Sequence, residues 1–128
     1  MNCWERVIPC CLLLLAVGCG GKPASFWAQQ ARDHDPSKRL QAIHALQAKT
    51  SDRQAVTTAL VEALRDEDAY VRRDAARALG QFGPVVRDTA APPLVALLKD
   101  PEPSVRKAAG VALAKIDDSG EAVSQQTR

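Results

Sequence analysis

The stretch DEDAYVRRDAARAL, Asp66 to Leu79, has two counterparts elsewhere in the chain, and their spacing decides the fold. DHDPSKRLQAIHAL begins at Asp33 and DPEPSVRKAAGVAL at Asp100. In this alignment Leu46, Leu79 and Leu113 fall in register, separated by 33 and then 34 residues. So do Ala42, Ala75 and Ala109, and so do Arg39, Arg72 and Arg106. Three matched positions at one period mark an internal repeat. A repeat of this length is one supersecondary unit that cannot bury its apolar face alone and must stack on its neighbours.

Each unit reads as a helical hairpin. In the middle unit Val56, Leu60, Val61 and Leu64 recur at helical spacing, Asp66-Glu67-Asp68 interrupts, and Val71, Ala75, Ala78, Leu79 and Phe82 resume the pattern. Ser51 or Asp52 is placed to cap the first helix and Asp68 the second, while Gly83-Pro84 stops it. The last unit repeats this with Leu94, Val95, Leu97 and Leu98, then Val105, Ala108, Ala109, Ala112, Leu113 and Ile116. Its Pro92 and Pro93 belong in a first turn opened by Thr89 or Ala90, and Glu102-Pro103 matches Asp35-Pro36 as a helix start. The first unit is the poorest copy, with Lys38 where Val71 and Val105 stand and a short leading helix from Ser25 to Arg32, so it is expected to cap the stack and fray first. The expected architecture is all-α: a short α-solenoid of about three antiparallel hairpins, near residues 25–48, 51–82 and 88–117, with a disordered polar tail at 118–128.

Composition agrees with helices. Alanine supplies much of the 46% hydrophobic content and aromatics only 4%, which suits close helix packing better than a sheet sandwich. A chain of 128 residues has room for one small domain. Seventeen Lys and Arg against fifteen Asp and Glu leave +2, too near balance for nucleic acid or an anionic membrane to be bound by bulk charge.

Cys3, Cys10, Cys11 and Cys19 all lie in the first nineteen residues, where neither a disulfide framework nor a metal site makes sense. The apolar run VIPCCLLLLAVG, Val7 to Gly18, falls short of the roughly 20 residues a transmembrane helix needs and reads as a signal-peptide core. LAVGCGGK at its end resembles the lipobox of bacterial lipoprotein signal peptides. That resemblance implies diacylglycerol on the sulfur of Cys19, removal of residues 1–18, a flexible tether over 19–24, and a protein held by its lipid on a bacterial envelope membrane, facing periplasm or exterior.

The repeats resemble HEAT repeats, especially the short bacterial kind also called phycobilisome-lyase-type. That pattern has a Pro in the first helix, an Asp eight residues later in the turn, and Val-Arg with the Arg six beyond the Asp. Pro92, Asp100, Val105 and Arg106 match in full. Asp66, Val71 and Arg72 match with Thr58 in place of the Pro, and Asp33 and Arg39 match with Ser25 and Lys38 at the other two positions. The resemblance implies a ladder of hydrogen bonds along the turns, built from Asp33, Arg39, Asp66, Arg72, Asp100 and Arg106. A turn carboxylate can take both helix-start N–H groups and a guanidinium fork. In the middle unit Arg72 is expected to pair with an Asp such as Asp66, leaving Arg73 and Arg77 for a partner.

Chemistry-bearing residues are sparse. His34 sits in a polar turn and His44 mid-helix, without metal-ligand spacing, and no phosphate loop, nucleophile elbow or Cys-His pair follows Cys19. Arg72-Arg73, Arg77, Arg106-Lys107 and Lys38-Arg39 form at most a basic stripe without aromatics for base stacking. Trp27, Arg73, Arg77 and Lys107 are the candidate partner-binding residues, with Phe26, Trp27 and Phe82 also fitting core or capping contacts. The expected function is non-enzymatic: a lipid-anchored scaffold that binds a protein partner, with no cofactor, metal, nucleic acid or small-molecule substrate. The resemblance also implies two alternatives. One is chromophore attachment, since some such repeat proteins are lyases acting on the bilins of phycobiliproteins; the other is nucleic-acid binding, as in HEAT-like DNA glycosylases.

Overall fold

The computed structural model describes residues 21–49 and 51–117, so the signal-peptide reading of residues 1–18, Cys19 and the tail 118–128 lie outside the described residues. Within them the chain forms six α-helices: α1 (Ala24–Gln30), α2 (Pro36–Gln47), α3 (Arg53–Ala63), α4 (Ala69–Gln81), α5 (Arg87–Leu97) and α6 (Pro103–Asp117). A 3₁₀ turn, Gly83–Val86, joins α4 to α5. Among the described residues there is no strand, and no helix is long and apolar enough to cross a membrane.

Local chemistry starts and stops these helices. Asp35 accepts the Ser37 N–H at 2.8 Å with Pro36 as first helical residue, Asp52 accepts from Ala55 N–H at 3.3 Å, and Asp68 accepts from Tyr70 and Val71 at 2.8 and 3.3 Å. Gly83 takes φ +66°, a left-handed conformation that ends α4 and that a side chain would strain. Pro92 and Pro93 depart from the sequence expectation. Helix α5 opens at Arg87, ahead of Thr89 and Ala90, and the two prolines lie inside it. The 3₁₀ turn feeds directly into α5, and Asp88 and Thr89, whose carbonyls lose their helical donors to the prolines, are exposed and can be hydrated.

The six helices make two layers. Helices α2, α4 and α6 stack side by side, α1, α3 and α5 form the other layer, and each hairpin packs on the next. Between the layers Ile43, Leu46, Val56, Leu60, Val71, Leu79, Leu94, Val105 and Ile116 are buried, together with the in-register Ala42, Ala75 and Ala109. Trp27 is half-buried against this core, at the alignment position that Leu60 and Leu94 fill in the later units. Leu113 is only half-buried, unlike Leu46 and Leu79, because among the described residues nothing stacks beyond the last unit. Close approach of α4 and α6 depends on Gly80: a Cβ there would lie 2.9 Å from the Cα of Ala112.

Candidate functional site

Two surfaces carry organised side chains. The first runs along the turns. Asp33, Asp66 and Asp100 each fold one carboxylate oxygen back onto the N–H two residues ahead, at 3.0, 2.8 and 2.9 Å. Arg39, Arg72 and Arg106 each reach back with Nη1 to two carbonyls of their own turn. For Arg72 these are Asp66 at 2.8 Å and Glu67 at 3.0 Å, and for Arg106 they are Asp100 at 2.8 Å and Pro101 at 3.0 Å.

Forward contacts link the units. Arg72 donates from Nε and Nη2 to both oxygens of Asp100, at 2.8 and 3.0 Å, a two-pronged pair with little exposure. Arg39 donates from Nη2 to Asp66 at 2.8 Å, while its Nε lies 2.8 Å from the other oxygen without a hydrogen-bonding angle. The Arg72 hydrogen bond holds the Asp100 carboxyl below its ordinary pKa against the opposing effect of burial. The guanidinium pKa values of Arg39 and Arg72 are raised in turn, chiefly by these same bonds. The expectation that Arg72 pairs with Asp66 is thus corrected: Asp66 gives Arg72 only its main-chain oxygen, and the carboxylate partner is Asp100, one unit ahead. The pairing crosses between units because the arginine's own turn saturates Nη1 and leaves the other edge of the fork pointing onward.

The second surface lies on the outer side of the α2, α4, α6 layer. Arg73, Arg77, Ser104, Lys107, Ala108 and Val111 line a groove of about 350 Å³ between α4 and α6. Val111 is exposed in it. A neighbouring groove of about 220 Å³ is lined by His44, Gln47, Asp74, Arg77 and Gln81, so Arg77 stands between the two. Asp74 organises this face. It is buried, accepts from Arg73 Nε at 2.9 Å, contacts His44 Nε2 at 3.1 Å and lies 3.9 Å from Arg77. Burial pushes the Asp74 carboxyl up, but the bonds from Arg73 and His44 outweigh it and hold the pKa below the ordinary carboxylate value.

Arg73 is therefore not the untethered side chain the sequence suggests: Asp74 pins it, and its guanidinium carbon sits 5.1 Å from the ring centre of exposed Tyr70. Arg77 and Lys107 remain exposed. Sequence reasoning passed over Asp74 and Tyr70. The signal for Asp74 was present, since Val71, Asp74, Ala75 and Ala78 share one helical face and a carboxylate on a core-facing stripe needs partners. Trp27 does not join this surface; it lies on α1, in the other layer, edge-on to Phe26 at 5.2 Å with Lys22 near both rings. His34 is exposed, and among the described residues no three His, Cys, Asp or Glu side chains form a group able to hold a metal ion.

Comparison with known proteins matches the same region. Over 109 residues, 83% of the chain, it is 33% identical to the bilin biosynthesis protein MpeU of Synechococcus sp. (strain WH8020). The chain spans about a third of that relative's length, 36%. A family model for HEAT repeats matches residues 24–114, from the start of α1 to near the end of α6. With three stacked hairpins, turn carboxylates bonded to the arginines of the preceding unit, and this match over most of its length, the chain belongs to the HEAT-repeat family.

Proposed function

We propose that the chain is a binding module and that it receives a protein partner on the α2, α4, α6 face. One observation carries this reading: a groove with an apolar floor of Ala108 and Val111 is rimmed by Arg73, Arg77 and Lys107, with Arg73 held in place by Asp74. A pre-set cation loses little freedom on binding, and an apolar floor beside it suits an acidic, amphipathic segment of a partner. HEAT repeats offer extended surfaces of this kind for protein interaction.

The comparison favours placing that binding in chromophore handling. The similarity to a bilin biosynthesis protein extends over 109 residues, 83% of the chain, and on this reading the groove holds the protein that receives the chromophore. A lipid-anchored envelope scaffold is the second reading, and LAVGCGGK with Cys19 is the feature that favours it. Two experiments separate them. Co-production of the chain with a phycobiliprotein subunit and its bilin is expected to raise covalent bilin on the subunit, read as fluorescence in a denaturing gel. Arg77→Glu with Lys107→Glu should abolish the gain, and no gain with the unaltered chain would end the chromophore reading. Palmitate labelling that vanishes in Cys19→Ser would support the anchor; labelling unchanged in that variant would refute it.

A further inference from the structure

The two ends of the stack carry the unmatched halves of a rung already built twice inside it. At the C-terminal end Arg106 holds the same posture as Arg72, with Nη1 on two carbonyls of its own turn at 2.8 and 3.0 Å. Yet no carboxylate among the described residues pairs with it, where Arg72 has Asp100 and Arg39 has Asp66. At the N-terminal end Asp33 holds the same posture as Asp66 and Asp100, one oxygen on the N–H two residues ahead at 3.0 Å. Among the described residues its second oxygen meets only Lys38 Nζ at 3.5 Å, a long contact from an exposed side chain. Burial follows the same sequence: Arg39 is buried, Arg72 half-buried and Arg106 exposed.

The apolar surface of the last hairpin is likewise what a further unit would cover. Leu64 is 2% exposed beneath the last unit, whereas Leu98, its counterpart one repeat on, is 42% exposed. Val61 packs half-buried against the core, and its counterpart Val95 is exposed. Ala76 is buried, and its counterpart Gly110 is only partly so.

We propose that a second copy of this chain docks its N-terminal hairpin on the α5–α6 end, with Asp33 of one copy receiving the Arg106 fork of the other. A second copy is favoured over a foreign partner because it presents the complementary carboxylate in the geometry that the internal rungs use. The Arg106 fork is already oriented by its own turn, so little side-chain freedom is lost when the rung closes. Head-to-tail contact of this kind is heterologous, and each added copy covers one end and presents a fresh one in its place. The chain is therefore an extendable solenoid.

Sedimentation of the full chain in mild detergent, from micromolar to near-millimolar concentration, tests this. The unaltered chain is expected to form dimers and then longer species as concentration rises. Arg106→Glu and Asp33→Lys, each with one end spoiled, should weaken association at least tenfold. An equimolar mixture of the two restores the native rung at one junction and a charge-reversed pair at the other, so it should recover the association that neither variant shows alone. Leu98→Asp leaves the Arg106 turn untouched and should behave as Arg106→Glu does, including rescue by Asp33→Lys. A wild-type chain that stays monomeric at the highest concentration overturns the proposal. So does association undiminished in the single variants, or a mixture that stays monomeric while circular dichroism shows both variants helical.

Discussion

Arg39, Arg72 and Arg106 make the same two bonds backward, so their different worth depends on what lies ahead of each. Arg72→Ala would leave the Asp100 carboxylate buried without its fork, and the expected cost is about 2–3 kcal/mol of unfolding free energy. Arg106→Ala loses only contacts to two carbonyls of its own turn, with no carboxylate left behind, and about 0.5 kcal/mol is expected. Urea denaturation of the two variants checks the difference. Acid should expose the same rung. Asp100 and Asp74 have folded-state pKa values below the unfolded value of about 3.9, so their stabilisation is fully present above that pH and is lost as pH falls through the folded values. Stability is thus expected to decline below about pH 4, with a shallower slope in Asp100→Asn, measured by urea titration across that range. The partner of Arg72 was not legible in sequence, because Asp66 and Asp100 both stand at plausible distances along the chain. Only the stacking shows that the near aspartate offers a carbonyl and the far one its carboxylate.

Helix by helix, punctuation was the readable part. Asp35, Asp52 and Asp68 cap as their positions before apolar periodic runs imply, and Gly83 stops α4 through its positive φ. Pro92 and Pro93 misled because proline marks where a donor is missing and not where a helix begins; α5 accommodates both beyond its first turn. Two glycines in the α2, α4, α6 layer should answer oppositely to alanine. Gly80→Ala drives a Cβ to 2.9 Å from the Cα of Ala112, so α4 and α6 must part, at an expected cost of about 1–3 kcal/mol. At Gly110 the added Cβ meets only Leu98 Cδ2 at 3.9 Å, and the gain in helix propensity should stabilise by about 0.5–1 kcal/mol. Thermal unfolding followed by circular dichroism reads both signs.

Among the described residues, three hairpins joined by two rungs make a stack whose middle is covered on both sides and whose ends are not. Amide exchange should be slowest in α4 and fastest in the seven-residue α1, and best protection in α1 would contradict a stack held from its centre. The period of the repeat was enough to reveal this architecture, because stacking imposes the same leucine, alanine and arginine on every unit. The interaction face was only half legible: Arg77 and Lys107 stand out as cations, and Asp74 is marked by its place on a core-facing stripe, but that it aims Arg73 and meets His44 shows only once α2 and α4 pack together. That face is the central functional claim, and site-specific photo-crosslinking tests it most directly. A crosslinking residue at Arg77 or Val111 should trap a discrete partner band, lost when Lys107 becomes Glu, while the same residue at Thr58 on the α3 surface should trap none. A band from Thr58 with none from Arg77 or Val111 would contradict the account.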